Sequence, residues 1–163
     1  MIEKKSIEES LKKIKFIVTD VDGVLTDGGI YISDSGEHSR RFFVRDGLAI
    51  VKLQENGLPV GILSAGRTTG AVTTRAKMLD VKYCYVGTEK KIIILEKWVK
   101  ELKLNWDEVA FLGDDLFDKE VMLKVGLAVC PSDAVQSIKD IAHIVLKTKG
   151  GFGCFREFAE YYF

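Results

Sequence analysis

The chain has 163 residues, of which 47% are hydrophobic and 29% are charged, and its 24 basic residues balance its 24 acidic residues. This length predicts a single domain spanning residues 1–163, and the composition excludes a largely disordered chain. Without a basic excess, nothing in the charge balance favours nucleic acid or a membrane surface as a partner. The cysteine spacing fits no disulfide framework and the charged N-terminus contains no apolar leader, which together predict a cytoplasmic protein.

Short apolar runs alternate with helical patterns along the chain. The strands are predicted at residues 16–19, 60–63, 83–86, 109–112, 127–129 and 144–146. The helices are predicted at residues 47–55, 69–79, 90–102, 117–125, 134–138 and 152–162. A β-hairpin is predicted at residues 30–44, around a turn at 33–36. The pattern predicts an α/β fold: a doubly wound, mostly parallel sheet with a β-hairpin flap and no cap domain.

Acidic side chains follow two of the predicted strands directly. Asp20 and Asp22 come after the first strand, and Asp114, Asp115 and Asp118 come after the strand at 109–112. In a parallel sheet both groups lie at the same edge. Carboxylates that crowd together repel one another unless a cation lies between them, and oxygen ligands favour Mg²⁺. The sequence therefore predicts a magnesium site at this edge.

Two further strand ends contribute a hydroxyl and an amine. Ser64 follows the strand at 60–63, and Lys91 follows the strand at 83–86 and a short loop. Phosphoryl transfer through an aspartyl-phosphate needs a carboxylate nucleophile, a metal, a lysine and a hydroxyl. The metal and the lysine neutralise the phosphoryl oxygens, while the hydroxyl and nearby backbone N–H groups bind one of them. These residues predict phosphoryl-transfer chemistry.

The ordered motifs resemble the haloacid dehalogenase superfamily of phosphohydrolases. They are D-x-D-G-V-L-T-D-G at 20–28, a hydroxyl at 64, a lysine at 91 and G-D-D-x-x-D at 113–118. The segments 44–47, 85–91 and 150–157, together with Arg67 and Arg75, also resemble the capless family of 3-deoxy-D-manno-octulosonate 8-phosphate (Kdo-8-phosphate) phosphatases. The resemblance spans roughly residues 10–160 and implies a Mg²⁺-dependent phosphomonoester hydrolase.

The resemblance also implies catalytic roles. Asp20 would be the nucleophile, and Asp22 would act as general acid and then as general base. Mg²⁺ would be bound by the carboxylates of Asp20 and Asp114 and by the backbone carbonyl of Asp22. The residues expected to orient the metal-bound waters are Asp115 and Asp118. The residues expected to contact the phosphoryl group are Ser64 and Lys91.

The implied substrate is a small phosphorylated sugar acid, either Kdo-8-phosphate or the 9-phosphate of a sialic-type nine-carbon acid. Besides Lys91, the residues expected to contact it are Val44, Arg45, Asp46, Gly47, Arg67 and Arg75. Arg67 and Arg75 are eight residues apart, about two helical turns, so they can share one helix face. The second motif, 64–67, is one residue longer than the T-G-R usual in the family, and Phe152 replaces a more polar residue.

Two other functions are considered. A signalling receiver domain also combines a phosphorylated aspartate, a hydroxyl and a lysine, but its acidic residues follow a different order along the strands. A catalytically silent binding subunit is disfavoured because all the catalytic carboxylates are present. The family resemblance further implies a homotetramer. Gly150 and Gly151 make the tail at 150–163 flexible by composition, and we expect the tail to reach a neighbouring subunit and, with the flap, to close the active site.

Overall fold

A six-stranded parallel sheet forms the centre of the computed structural model, which describes residues 4–67 and 70–163. In chain order the strands are β1 (Phe16–Thr19), β2 (Tyr31–Ile32), β3 (His38–Ser39), β4 (Val60–Ser64), β5 (Tyr83–Val86), β6 (Val109–Leu112), β7 (Leu127–Cys130) and β8 (Ile144–Val145). Strands β2 and β3 pair only with each other, antiparallel. The other six pair in parallel in the order β5-β4-β1-β6-β7-β8.

Helices pack on both faces of this sheet. In chain order they are α1 (Lys4–Lys13), α2 (Val44–Glu55), α3 (Gly70–Met78), α4 (Lys91–Glu101), α5 (Lys119–Met122), α6 (Gln136–Lys139) and α7 (Cys154–Tyr162). Within the residues described, none of these helices has the length and hydropathy needed to span a bilayer. The fold class is therefore the predicted doubly wound α/β architecture.

The core is divided in two by the sheet, because successive strand residues point to opposite faces. On β1, Ile17 joins the apolar cluster that includes residues of α2 and α7, whereas Phe16 and Val18 join the cluster that includes residues of α4 and α5. Every residue of β1, β6 and β7 is buried. Continuous apolar runs are expected of strands covered on both faces, and this explains why sequence patterns located them.

The order of the strands creates a crevice beside β1. The chain first builds β4 and β5 on one side of β1 and then returns to build β6, β7 and β8 on the other side. Ligands of open α/β sheets bind outside the carboxyl ends of the strands where the chain changes direction in this way. Asp20 follows β1 and Asp114 follows β6 after one glycine, so both lie at the mouth of this crevice.

All six predicted strands of the main sheet are confirmed, but several helix boundaries differ. Helix α1 was not predicted; it packs Ile7 and Leu11 against the core, and Ile14, just after the helix, is buried in the same cluster. Helix α2 begins at Val44 rather than at residue 47. The helix predicted at 117–125 divides into a 3₁₀ turn over Leu116–Asp118 and the short α5, and α6 occurs two residues later than expected.

The hairpin is shorter than predicted. Only Tyr31–Ile32 and His38–Ser39 pair as strands, and an isolated bridge between Thr26 and Phe42 closes its base. Val44 is therefore not part of the flap but the first residue of α2. We use "flap" below for residues 30–43. Helix α3 begins at Gly70; its predicted first residue, Thr69, lies outside the described residues.

The expectation of a flexible tail at 150–163 is wrong. Cys154, Phe155 and Phe158 are fully buried in the core cluster that contains α2. The N–H of Gly151 donates to the carbonyl of Val24 at 2.8 Å. Because these contacts join the tail to its own domain, it cannot extend to a neighbouring active site without losing part of the core.

We predict that Phe155→Ala lowers the free energy of unfolding by about 3–5 kcal/mol, because a fully buried ring is removed. Urea unfolding followed by circular dichroism measures this change. Phe152→Ala is the matched control: its ring is 53% exposed, and the expected loss is below about 1 kcal/mol. Equal stabilities of the two variants would contradict a packed tail.

Candidate active site

The loop after β1 holds Asp20 in a buried position at the end of the sheet. Asp20 is 7% exposed, and its backbone N–H donates to the carbonyl of Leu112 at 2.9 Å, continuing the pairing of β1 with β6. Gly23 completes the turn with a φ of +88°, and a Cβ there would collide with the carboxylate of Asp114. The glycine of D-x-D-G therefore permits both a left-handed backbone and the approach of the second acidic group.

Three carboxylates converge at this edge. One oxygen each of Asp20, Asp114 and Asp118 lies within 4.8 Å of the other two. Both oxygens of Asp118 are engaged: Oδ1 accepts from Lys91 Nζ at 2.6 Å, and Oδ2 accepts from the N–H of Asp114 at 3.0 Å. In contrast, Asp114 Oδ1 is buried, and the described part of the chain offers it no hydrogen-bond partner. A cluster with an uncompensated buried oxygen fits a divalent cation, with Asp20 and Asp114 as its ligands.

Lys91 connects the nucleophile position to this cluster. Its Nζ lies 2.6 Å from Asp20 Oδ1 and 2.6 Å from Asp118 Oδ1, and its side chain is 4% exposed. Burial alone would lower the pKa of Lys91, but the charges and hydrogen bonds of the two aspartates outweigh burial and raise it. Lys91 therefore stays protonated and can neutralise an anionic ligand at this edge.

The pKa values of the carboxylates reflect their crowding. Burial and the negative charge of Asp118 raise the pKa of Asp20 to about 7, although Lys91 opposes the shift. Burial and the charges of Asp20, Asp118 and Asp115 raise the pKa of Asp114 to about 8. Both raised pKa values mean that the single positive charge of Lys91 does not compensate the negative charges of these carboxylates. A bound cation would hold them ionised, as a nucleophile and a metal ligand require.

Ser64 and Arg67 come from the end of β4 and the loop that follows it, and β4 is the strand that flanks β1 opposite β6. Ser64 is the last residue of β4, is 1% exposed, and accepts through Oγ from the N–H of Gly66 at 3.2 Å. Arg67 is exposed and lines an open pocket of about 430 Å³ together with Lys91 and Phe117. Arg67 lies in a bend before α3, so the expectation that it shares a helix face with Arg75 is wrong.

The flap contacts the side chain of Asp22. Arg40, which directly follows β3, contacts it with two nitrogens: Nε lies 2.6 Å from Oδ1 and Nη2 lies 3.3 Å from Oδ2. The side chain of Arg40 is 4% exposed, although it comes from a solvent-exposed hairpin. Sequence reasoning missed Arg40. The available signal was a basic residue within the predicted hairpin at 30–44, and the neighbouring Arg41 gave the same signal.

The residues expected to contact the sugar acid fall into two groups. Asp46 and Gly47 are buried in α2, and Arg75 packs against Gly47, where a Cβ would collide with its guanidinium. Val44 is 78% exposed, and Arg45 beside it is also exposed at the start of α2. The structure thus brings Asp46, Gly47 and Arg75 together, leaves Val44 and Arg45 facing solvent, and puts Arg67 beside Lys91.

Asp46 is bonded to the tail. Its Oδ1 accepts from the N–H of Arg156 in the first turn of α7 at 2.8 Å, while Oδ2 is buried and has no partner among the described residues. Burial raises the pKa of Asp46 to about 6, opposed by backbone hydrogen bonds from α7 and by the charge of Arg75. This carboxylate joins α2 to α7, a structural contact that the sequence pattern did not indicate.

Asp115 begins the 3₁₀ turn after Asp114. Its side chain is exposed, and Oδ1 accepts from the N–H of Leu116 at 2.7 Å. This is a capping contact, so Asp115 shapes the loop that presents Asp114. Its charge also contributes to the raised pKa of Asp114.

The assembled groups are suited to phosphoryl transfer. A buried carboxylate, a protonated lysine, a hydroxyl and a cation-binding pair lie at one edge, with a second carboxylate two residues after the first. The arrangement offers a nucleophile, positive charge for phosphoryl oxygens and a separate proton-transfer group.

Comparisons with known proteins give relatives along nearly the whole chain. The family model of haloacid dehalogenase-like hydrolases matches residues 87–153. The 3-deoxy-D-manno-octulosonate 8-phosphate phosphatase KdsC of Yersinia pestis is 37% identical over 147 residues, which cover 90% of this chain and 78% of the relative.

Solved structures agree with this similarity. The cobalt-bound deoxy-D-mannose-octulosonate 8-phosphate phosphatase of Haemophilus influenzae is 34% identical, with a TM-score of 0.88 over 93% of this chain and 88% of the other. The 3-deoxy-D-manno-octulosonate 8-phosphate phosphatase of Moraxella catarrhalis, in complex with magnesium ion, phosphate ion and KDO, is 27% identical. Its TM-score is 0.91 over 97% of this chain and 90% of the other.

We predict that Asp46→Asn stabilises the protein at neutral pH more than at acidic pH. Folded Asp46 keeps its proton to a pH of about 6, whereas the unfolded side chain loses it near 3.8. The parent protein therefore loses stability as the pH rises from about 4 to about 7, because folded Asp46 must give up its proton. Asparagine does not titrate, so the variant has no such loss. Urea unfolding should show the stability difference, variant minus parent, growing by on the order of 2 kcal/mol across this range.

Asp80→Asn is the control for this titration, because Asp80 is exposed. Its free energy of unfolding should stay within about 0.5 kcal/mol of the parent value, as is usual for an exposed substitution. A flat difference for Asp46→Asn as well would show that the Asp46 carboxylate is not buried as described.

Proposed function

The chain belongs to the 3-deoxy-D-manno-octulosonate 8-phosphate phosphatase family of haloacid dehalogenase-like hydrolases, and we propose that it hydrolyses the 8-phosphate of that sugar acid. Membership of this family makes it a phosphatase, so the receiver-domain and silent-subunit alternatives are wrong. The observation that carries the proposal is the buried convergence of Asp20, Asp114, Asp118 and Lys91 at the crevice beside β1.

Mg²⁺ is the proposed metal, held by the carboxylates of Asp20 and Asp114 and the backbone carbonyl of Asp22. When bound, it supplies positive charge to the phosphoryl oxygens and keeps Asp20 ionised. The proposed part of Asp118 is to order the loop and Lys91 rather than to bind the metal directly, because both of its oxygens already accept hydrogen bonds. Asp115 is proposed to help orient the metal-bound waters. Cobalt and magnesium in the related structures support a divalent cation.

The proposed reaction has two steps. An oxygen of Asp20 attacks phosphorus, the bond to the sugar oxygen breaks, and Asp22 donates a proton to that oxygen. Water then attacks phosphorus, Asp22 accepts its proton, and the bond to Asp20 breaks to release phosphate. Lys91 and Ser64 contact the phosphoryl oxygens, and the backbone N–H groups after Ser64 add further donors.

Recognition of the sugar acid is proposed to use the exposed start of α2 together with Arg67 and Arg75. Val44 and Arg45 face solvent, and Arg67 lines the pocket beside Lys91. Asp46 and Gly47 are proposed to shape this region from beneath by holding Arg75 and α7 in place. Arginine suits a carboxylate because its planar fork can form two parallel hydrogen bonds. The 9-phosphate of a nine-carbon sialic-type acid carries the same groups and is the alternative substrate.

We predict that the parent enzyme releases phosphate fastest from Kdo-8-phosphate in a panel that includes a nine-carbon acid 9-phosphate and simple phosphomonoesters. EDTA should abolish the activity and Mg²⁺ should restore it. Asp20→Asn should lower kcat by at least about 10³-fold while circular dichroism shows an intact fold, because an amide is not an anionic nucleophile.

Asp140→Asn is the matched control, since Asp140 is exposed at the end of α6 and accepts a local hydrogen bond from Gln136. Its kcat should equal that of the parent. Near-normal turnover by Asp20→Asn would exclude the aspartyl-phosphate mechanism, whereas a preference for the 9-phosphate would change only the substrate.

A homotetramer assembled through the flap is the proposed quaternary structure. Ile30, Tyr31 and Ile32 are 47%, 60% and 66% exposed, and a two-stranded hairpin is marginally stable unless it packs on another surface. Four flaps could bury these side chains around a common axis. We also place the enzyme in the cytoplasm as a single domain; its cysteines are unpaired, as in a reducing compartment.

We predict that Ile32→Asp converts the tetramer to smaller species in sedimentation velocity, because a charge would be buried at the interface. Leu123→Asp is the control, since Leu123 is 64% exposed at the end of α5, away from the flap. A parent protein that sediments as a monomer would contradict the assembly.

A further inference from the structure

Arg40 reaches from the flap to the carboxylate of Asp22. Its Nε lies 2.6 Å from Oδ1 and its Nη2 lies 3.3 Å from Oδ2, so the planar guanidinium contacts both oxygens. The Arg40 side chain is 4% exposed and that of Asp22 is 31% exposed. Exposed ion pairs contribute little to stability because water competes for both charges. This arginine side chain is enclosed and forms a bidentate contact, so its ion pair holds the Asp22 carboxylate more firmly.

The guanidinium of Arg40 also lies beside the loop that follows β4. A Cβ at Gly66 would lie 3.7 Å from Arg40 Nη2 and 3.3 Å from Ser64 Oγ. Arg40 therefore lies between the loop that carries Asp22 and the loop that carries Ser64. It covers one side of the position proposed for the phosphomonoester.

We propose that Arg40 is a positioning residue for proton transfer: it holds the Asp22 carboxylate in the orientation needed to reach the leaving-group oxygen. This inference rests on the proposed function, in which Asp22 is the general acid and base. A partly exposed aspartate can adopt several side-chain rotamers, and small errors in the placement of a catalytic group lower the reaction rate strongly. The two-point contact removes that freedom.

The geometry of the contact leaves Asp22 able to transfer a proton. Oδ1 is anchored at the shorter distance, while Oδ2, in the longer contact, keeps a site that can carry the proton given to the leaving-group oxygen and later accept a proton from the attacking water. Asp22 gives its proton to the sugar oxygen when the phosphorus–oxygen bond breaks, and it regains a proton from water in the second step. Arg40 neither gives nor takes a proton.

This role predicts that the effect of Arg40 depends on the leaving group. An alkyl phosphate needs a proton on its leaving oxygen, whereas p-nitrophenolate departs without one. In the second step water must be deprotonated whichever ester is used. Loss of the positioning contact should therefore slow the first step for an alkyl ester and the second step for both esters.

The experiment is rapid-quench kinetics on Arg40→Gln with Mg²⁺, using glycerol 3-phosphate as the alkyl ester and p-nitrophenyl phosphate as the aryl ester. The kcat for the alkyl ester should fall about 10–100-fold, the loss typical when a group that orients a catalytic residue is removed, with KM changed less than about 3-fold. For the aryl ester, a burst of one p-nitrophenolate per active site should form within about 3-fold of the parent rate of formation, before a slow steady state.

Three variants make the result decisive. Asp22→Asn should show the same dependence on the leaving group, and Arg40→Lys should recover part of the loss because it restores the charge without the fork. Arg41→Gln is the matched control: this neighbouring flap arginine contacts Asp27 at 3.3 Å instead of Asp22, so it should keep the parent ratio of alkyl to aryl rates.

The outcomes separate the proposals. Equal slowing of the aryl burst and the alkyl reaction in Arg40→Gln, or a rise in KM alone, would overturn the role of Arg40 while Asp22→Asn still showed leaving-group dependence. If Asp22→Asn itself lacked that dependence, the proposed proton transfer by Asp22 would fail first.

Discussion

The ion pairs of Lys91 with Asp20 and Asp118 are the contact on which the arrangement of this edge depends. A buried lysine is tolerated only where negative charge compensates its lost hydration, and a buried carboxylate needs equivalent compensation. The three groups lie at the ends of three different elements, after β1, at the start of α4 and in the turn after β6. Displacing Lys91 would leave two buried carboxylates without their positive partner, so the geometry of the edge is tightly constrained.

Asp118 extends this constraint to the loop that follows β6 and carries Asp114. One of its oxygens accepts from Lys91 and the other from the backbone of Asp114, so a single carboxylate fixes both the lysine and the loop. Gly113 is required beside it, because a Cβ at Gly113 would lie 2.6 Å from the Asp118 carboxylate carbon. Within the G-D-D-x-x-D motif, Asp118 therefore fixes the backbone position of Asp114. Hydrogen bonds of this kind keep the side chains of a site in a defined geometry.

Sequence reasoning located the main sheet and the acidic edge because both follow from local rules. Continuous apolar runs indicated strands buried on two faces, and parallel pairing brought Asp20 and Asp114 to the same end. Arg40 could not be found in this way, since its contact with Asp22 depends on how a short hairpin folds back. The tail was misread for a related reason: Gly150 and Gly151 indicate flexibility by composition, yet here the missing side chains let the backbone pack against Gly23 and Thr26.

The loop that carries Asp20 and Asp22, residues 20–28, is held from two sides. On one side the tail contacts it: the N–H of Gly151 and the thiol of Cys154 both donate to the carbonyl of Val24. On the other side the flap contacts it through Arg40 at Asp22 and Arg41 at Asp27.

Arg41 also donates to the carbonyl of Gly151 at 3.1 Å, which joins flap and tail directly. Because the flap has only two short strands, its position depends on contacts outside the hairpin, above all the enclosed contact of Arg40 with Asp22, and on whatever covers its apolar face. The proposed assembly of the flaps and the proposed positioning of Asp22 would therefore be coupled through the same hairpin.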